Sequence, residues 1–355
     1  MSGNATANER AGGETGDGDP FVTVIMPIRN EERFIKGSLG AVLAQDYFAD
    51  RYEVLVVDGM STDRTREVVC AVAGDRNVTI LDNPGKIPPA ALNVGIRHAS
   101  GEVIVRVDGH TEIAPDYIRK CVDALERTGA ECVGGRMDPV GQTSFGRAVA
   151  VATSNRFSLG GSRFHYAREE QETDSVYMGA YARPVFSRVG LFDEGMVINE
   201  DDDFNYRLRS AGGRVVLVPG IRSIYYNRGT PGGLWRQYFK YGLWKVRVIQ
   251  KLPGQVRLRH LVPAGFVSSL LIAAVLSAVW VESAFALAAL VALYVLFVTL
   301  IALSAAGVRS IGLAAQTALA IAIMHVGYGV GFIVGFVRFA GRWRLRRQSA
   351  PWDGR

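Results

Sequence analysis

The spacing of apolar positions changes character along this chain. In the first part, short apolar runs at 21–26, 53–57, 78–81 and 103–107 read as strands, and the stretches between them repeat at helical spacing. The first such stretch follows Asn30 and carries Phe34, Ile35, Leu39, Val42 and Leu43 on one face. Others follow Ser61-Thr62, Pro88-Pro89 and Pro115, where hydroxyl caps or prolines at the first helical turn favour a helix start. This alternation predicts an α/β protein with a doubly wound, mostly parallel sheet. Ligands of such sheets bind beyond the carboxyl ends of the strands. The sequence puts Pro27 to Glu31, Asp58-Gly59 and Asp108 to His110 there.

Beyond about residue 250 the pattern becomes continuously apolar. Segments 261–281, 284–306 and 311–337 each approach or exceed the roughly 20 residues needed to cross a hydrocarbon core of about 30 Å. They predict a chain attached to a membrane. Just before them, 234–251 is amphipathic: Trp235, Tyr238, Phe239, Gly242, Val246 and Ile249 share one face, and Arg236, Lys240, Arg247 and Lys251 another. We expect an interfacial helix, with aromatic rings at headgroup level and lysines near anionic phosphates. A helix packed on the soluble domain is the alternative. The chain therefore divides into a disordered tail (1–20), a catalytic domain (21–230), the amphipathic helix region (231–256), a transmembrane region (257–340) and a basic tail (341–355).

Sidedness poses a conflict. Three spans would put the C-terminus opposite the catalytic domain, yet Arg338, Arg342, Arg344, Arg346 and Arg347 follow the last segment, and such residues normally remain cytoplasmic. Either 311–337, with glycines at 312, 327, 329, 331 and 335, is bent or re-entrant, or three true spans override the charge bias. His325 is expected to pack against another helix.

Composition adds exclusions. The net charge of +6 is explained by basic residues beside membrane segments, and no basic, aromatic-interleaved stripe of a nucleic-acid binder occurs in the soluble part. Cys70, Cys121 and Cys132 lack metal-ligand spacing and fit a reduced, cytoplasmic setting for the soluble part. The first twenty residues lack a basic region followed by an apolar stretch and do not read as a signal peptide. No P-loop and no strand-borne G-x-G-x-x-G is present, and we find no internal repeat.

The candidate chemistry is acidic. Carboxylates at strand ends can accept hydrogen bonds from a base or ribose, and a divalent cation nearby can neutralise a diphosphate, so a sugar nucleotide fits the crevice. A turn before Gly59 is the plainer reading of Asp58. The cluster Glu200-Asp201-Asp202-Asp203 precedes a helical segment, where acids also stabilise a helix start. Repulsion among four adjacent carboxylates can raise one pKa into the range of a general base.

Several ordered motifs together resemble family 2 glycosyltransferases with a GT-A fold, of the succinoglycan-biosynthesis glucosyltransferase type. They are Thr23-Val-Ile-Met-Pro-Ile-Arg-Asn-Glu-Glu32, Val57-Asp-Gly-Met-Ser-Thr-Asp63, Asn83-Pro-Gly-Lys86 with Ala91-Leu-Asn-Val-Gly95, and Asn199-Glu-Asp-Asp-Asp-Phe-Asn-Tyr-Arg207. The likeness spans about residues 21–251. It implies that Pro27, Arg29 and Glu31 line a nucleotide pocket, with Glu31 near the ribose, Asp58 accepting from uracil and Lys86 near the diphosphate. Asp108 and His110 stand at the family's D-x-D position, with His where a second Asp is expected, and would hold Mn²⁺ or Mg²⁺ unless His110 merely caps a helix. Asp201, with Glu200, would activate the acceptor. Met178-Gly179-Ala180-Tyr181 resembles the acceptor-side segment, where Gly179 and Ala180 would let a sugar approach; a buried turn is the alternative. Gln237, Lys240 and Tyr241 resemble a weakened Q-x-x-R-W motif, which argues against processive extension. The implied activity is metal-dependent, inverting transfer of a sugar, glucose in the first instance, from a UDP-sugar. The acceptor is a lipid-linked, polyprenyl-borne saccharide in cell-surface polysaccharide synthesis, at the cytoplasmic membrane, with other assembly enzymes or an oligomer as partners. A processive synthase, a polyprenyl-phosphate glycosyltransferase and a nucleotide-binding membrane scaffold are the alternatives.

Overall fold

The computed structural model describes residues 18–159, 163–306 and 310–342. In chain order its strands are β1 (Val22–Ile28), β2 (Tyr52–Asp58), β3 (Val78–Asp82), β4 (Val103–Arg106), β5 (Thr111–Ile113), β6 (Cys132–Val140), β7 (Gln171–Glu172), β8 (Tyr177–Ala182) and β9 (Val215–Tyr226). Its helices are α1 (Ile35–Leu43), α2 (Thr65–Ala73), α3 (Pro88–His98), α4 (Tyr117–Thr128), α5 (Ser144–Ser154), α6 (Arg156–Leu159), α7 (Pro184–Val189), α8 (Glu200–Ser210), α9 (Pro231–Lys251), α10 (Leu258–Leu276), α11 (Val281–Ala306) and α12 (Ile311–Arg338).

The strands form one sheet in the order β3-β2-β1-β4-β8-β6-β9-β5, with β7 on β9. From β3 to β4 every pairing is parallel, as right-handed strand–helix–strand crossovers require. The second half is mixed: β8 is antiparallel to both β4 and β6, whereas β6 and β9 are parallel. Successive residues of a strand face opposite sides. Val22, Val24 and Met26 accordingly join one core with Ile35 and Leu39, and Ile25 joins a second with Leu92, Phe186 and Phe204.

Two helices tie this domain to the apolar C-terminal part. Val149 and Ala152 of α5 pack with Val298 and Ile301 of α11 and with Ile321 and Met324 of α12. Helix α9 lies along the second half of α12, and glycine makes that approach feasible. A Cβ on Gly331 would stand 2.0 Å from the Phe239 carbonyl oxygen, and one on Gly242 would stand 2.0 Å from that of Tyr328.

This packing revises three sequence expectations. First, 311–338 forms one uninterrupted helix, so the re-entrant form of that segment is not what forms, and its glycines at 331 and 335 mark close contact with α9. Second, part of the α9 face expected to meet lipid, around Phe239, Gly242 and Val246, is turned to α12, so that part packs on an apolar helix and not on the soluble domain. Third, the first apolar run divides at 277–280, because apolarity alone does not mark the turn between α10 and α11. Helices α10, α11 and α12 are long and apolar enough to cross a membrane, with mean hydropathy of 1.6, 2.8 and 2.0.

Candidate active site

The carboxyl ends of β1 and β2 are knitted together by the polar residues that follow them. Asn30 Oδ1 accepts from the Thr62 N–H at 2.9 Å, the Asn30 N–H donates to Ser61 Oγ at 2.9 Å, and the Glu31 N–H donates to Thr65 Oγ1 at 2.8 Å. Sequence reading took Ser61 and Thr62 for helix caps. They serve instead as cross-loop staples, and α2 starts at Thr65 with no side-chain cap.

Asp58 is fully buried, accepts from the Ser61 N–H and Oγ, and lies 3.2 Å from Arg66 Nη1. Arg29 packs beside Gly59 and donates to the Lys86 carbonyl at 3.3 Å. Pro27 is the penultimate residue of β1, in register with Val57. These residues thus share one strand-end region. The five described non-glycine residues with positive φ, namely Asn30, Met60, Lys86, Met178 and Asn199, lie in turns after β1, β2 and β3 or on the cavity wall described next. Such costly backbone conformations concentrate where ligands are held.

A cavity of about 1490 Å³ adjoins this region. Asp108, His110, Glu200 and Asp201 line it on one side, Gln237, Lys240 and Tyr241 of α9 on another, and Pro263, Phe266, Tyr294, Phe297 and Tyr328 of the apolar helices on a third. Asp58, Asp108 and Asp201 are therefore not equivalent: the last two share the cavity, and Asp58 stays at the strand end beside it. Arg106, which sequence reading passed over, joins them. Its Nε donates to Asp108 at 2.7 Å and its Nη1 to Glu200 at 2.9 Å. The one signal was a charge inside the apolar run of β4.

The four acids of α8 separate by partner. Glu200 pairs with Arg106, Asp202 with Lys245, and Asp203 with Arg207 and Lys251. Among the described residues Asp201 has no basic partner within ion-pair distance; its Oδ1 accepts from the Asp202 N–H at 2.8 Å. Burial, followed by the charges of Asp202 and Glu200, pushes the Asp201 carboxyl up to about 7, against the pull of Arg106. Burial also raises Glu200. Burial opposes ionisation of Asp108 as well, but Arg106 and then His110 hold its carboxyl below the usual range. The aromatic cluster of Tyr181, Phe192 and Phe204 fixes α8 from behind, with Phe192 and Phe204 stacked at 4.5 Å.

His110 Nδ1 lies 3.2 Å from Glu31 Oε1, and its ring meets Tyr225 edge-on at 5.6 Å. Gln237 reaches the same place from α9, donating to the hydroxyls of Tyr225 at 3.0 Å and Tyr241 at 2.9 Å. Among the described residues no three His, Cys, Asp or Glu side chains are grouped to hold a metal by themselves. Asp108 and His110 both line the cavity, but Arg106 already bonds Asp108 Oδ1, so a cation there would need phosphate oxygens and water to complete its shell. Gly179 and Ala180 take a different place from the one expected. Both lie inside β8, where Ala180 pairs with Val105 of β4 and Val133 of β6 and is fully buried, and the cavity receives their neighbours Tyr177 and Met178.

Comparisons with known proteins agree with this geometry. The model of glycosyl transferase family 2 matches residues 23–189. A dolichyl N-acetyl-α-D-glucosaminyl phosphate 3-β-D-2,3-diacetamido-2,3-dideoxy-β-D-glucuronosyltransferase of Methanococcus voltae is 30% identical over 71% of this chain and 80% of its own. The succinoglycan biosynthesis protein ExoA of Rhizobium meliloti is 30% identical over 68% of this chain and 73% of its own. A mannosyltransferase from Pyrobaculum calidifontis, solved with GDP-Man and Mn²⁺, shares the fold with a TM-score of 0.54 at 21% identity, covering 91% of this chain and 87% of that one. On these grounds the chain belongs to glycosyl transferase family 2.

Proposed function

We propose that the protein transfers a single sugar, glucose in the first instance, from a UDP-sugar to a hydroxyl of a polyprenyl-linked saccharide, with inversion, during cell-surface polysaccharide synthesis. The observation that carries this reading is Asp201: of four adjacent acids it alone lacks a basic partner among the described residues, and it faces a cavity that continues to apolar helices. Burial and its acidic neighbours raise its carboxyl to about 7, where a base takes up and releases a proton near working pH.

Asp201 takes the proton of the acceptor hydroxyl while that oxygen attacks the anomeric carbon opposite the departing UDP. Attack from the far face inverts the centre. Glu200, anchored by Arg106, keeps a negative charge beside the base and so favours its protonated form. Pro27, Arg29, Glu31, Asp58 and Lys86 hold the nucleotide at the strand ends. Mn²⁺ or Mg²⁺ bound by Asp108 and His110 with donor phosphate oxygens would offset the charge of the leaving diphosphate. The apolar wall formed by Phe266, Tyr294 and Phe297 suits a lipid tail, and the Methanococcus voltae relative is named for a dolichyl-linked acceptor. Gln237, Lys240 and Tyr241 face the acceptor. We assign the catalytic domain to the cytoplasmic side, where its free cysteines stay reduced.

The test is to incubate purified protein with a panel of UDP-sugars, Mn²⁺ or Mg²⁺ and a membrane lipid extract, and to identify glycosylated lipid by mass. Addition of one residue supports the reading; a long polymer, or no sugar turnover with any donor, overturns it.

A further inference from the structure

The cavity has a second polar patch that the chemistry above does not use. Ser158, in α6, and His165 line it and are only 3% and 8% exposed, and among the described residues neither Ser158 Oγ nor His165 Nδ1 has a hydrogen-bond partner. Buried polar atoms ordinarily find one. Asn199, Arg209 and Asn227 also line the cavity with such an atom each, but Ser158 and His165 stand apart from them on the segment that carries Phe164, and they point to a group that enters from outside. The backbone there is held in place: His325 Nε2 lies 2.9 Å from the Ser158 carbonyl oxygen, and His325 Nδ1 lies 3.1 Å from the Tyr294 hydroxyl.

A row of rings leads from the patch back to the reacting centre. His165 meets Phe164 at 4.5 Å, Phe164 stacks with Tyr177 at 6.2 Å, Tyr177 meets Tyr225 at 6.1 Å, and Tyr225 meets His110 at 5.6 Å. Three kinds of group could occupy the patch, and chemistry separates them. Burial alone pushes the His165 imidazole down to about 4, so it is neutral and offers a phosphate no positive charge. An alkyl chain would leave both orphaned atoms unpaired. A sugar ring brings hydroxyls for Ser158 and His165 and a C–H face for the ring of Phe164.

We infer that Ser158, Phe164 and His165 form a subsite for an uncharged sugar ring of the acceptor, beyond the unit that receives the new residue. This rests on the function proposed above and specifies which part of the lipid-linked saccharide is read. The subsite acts on acceptor affinity and leaves the donor side untouched.

The experiment uses full-length protein in lipid nanodiscs, UDP-sugar as donor, and the lipid-linked saccharide fraction of a membrane extract as acceptor. Ser158→Ala and His165→Phe should each raise the half-saturating acceptor concentration about tenfold, with the KM for UDP-sugar and the slow transfer to water unchanged. His165→Asn keeps a polar side-chain atom near the place of Nδ1 and should retain most of the affinity. Half-saturation unchanged in both Ser158→Ala and His165→Phe, or equal losses on donor and acceptor sides, would overturn the subsite. If the wild-type protein transferred sugar to no lipid at all, the proposed function itself would fall, and this inference with it.

Discussion

Replacing Asp201 by Asn removes a titrating carboxyl at nearly constant volume, so its effects on catalysis and on stability can be read separately. As the base, Asp201 accounts for a factor of about 10² to 10⁴ in kcat. In the wild type, transfer should rise with pH as the carboxyl loses its proton around 7, and the variant should keep a flat, low profile. Stability should move the other way. The carboxyl is raised from its ordinary 3.8 to about 7 in the folded protein, so folding favours the protonated form. Stability from that proton is present below 3.8 and declines until pH passes 7, above which the folded chain bears the full cost of a buried charge. That cost corresponds to about 4 kcal/mol, at about 1.4 kcal/mol per pH unit. Asp201 is only half-buried on the cavity wall, which lowers that figure, so we expect Asp201→Asn to stabilise the protein by about 1–3 kcal/mol at pH 8 and hardly at all near pH 4. Thermal unfolding at both pH values, beside UDP-sugar turnover, is the assay. Wild-type turnover with intact UDP-sugar binding would place the base elsewhere, and a lower Tm at pH 8 would show Asp201 to be a structural anion.

Three further outcomes are expected. Gly331→Ala puts a methyl 2.0 Å from the Phe239 carbonyl oxygen and should cost about 1–3 kcal/mol or more, whereas Gly312→Ala, with open space around it, should be neutral or slightly stabilising; equal Tm values would refute the α9–α12 contact. His110→Asp restores a second carboxylate to the candidate cation site, so Mg²⁺ should support half-maximal activity at a lower concentration, and an unchanged requirement would remove His110 from it. The basic tail, which lies outside the described residues, is tested by Ser349→Cys in a Cys70→Ser background. Labelling by an impermeant thiol reagent from the cytoplasmic side only would mean that its arginines outweigh three spans, and labelling from the opposite side only would mean that the spans win.

Much of this protein is written in local order. Short apolar runs followed by stretches at helical spacing determine the parallel half of the sheet, and strand-end residues such as Asp58 and Asp108 follow from it, because run length and helical periodicity are properties of adjacent residues. The long apolar segments likewise announce themselves by length. What the tertiary structure alone decided is partnership. Sequence presented four adjacent acids at 200–203; folding brought Arg106, Lys245 and Lys251 to three of them and left Asp201 without such a partner among the described residues. Ala180, in the segment expected on the acceptor side, is paired to β4 and β6 within the sheet, and the glycines of α12 at 331 and 335 meet α9 at close range. Ser158 and His165 carried no motif at all, and their orphaned atoms acquire meaning only on the wall of a shared cavity. Ion pairing, burial and close approach depend on residues far apart in sequence, so no local pattern encodes them.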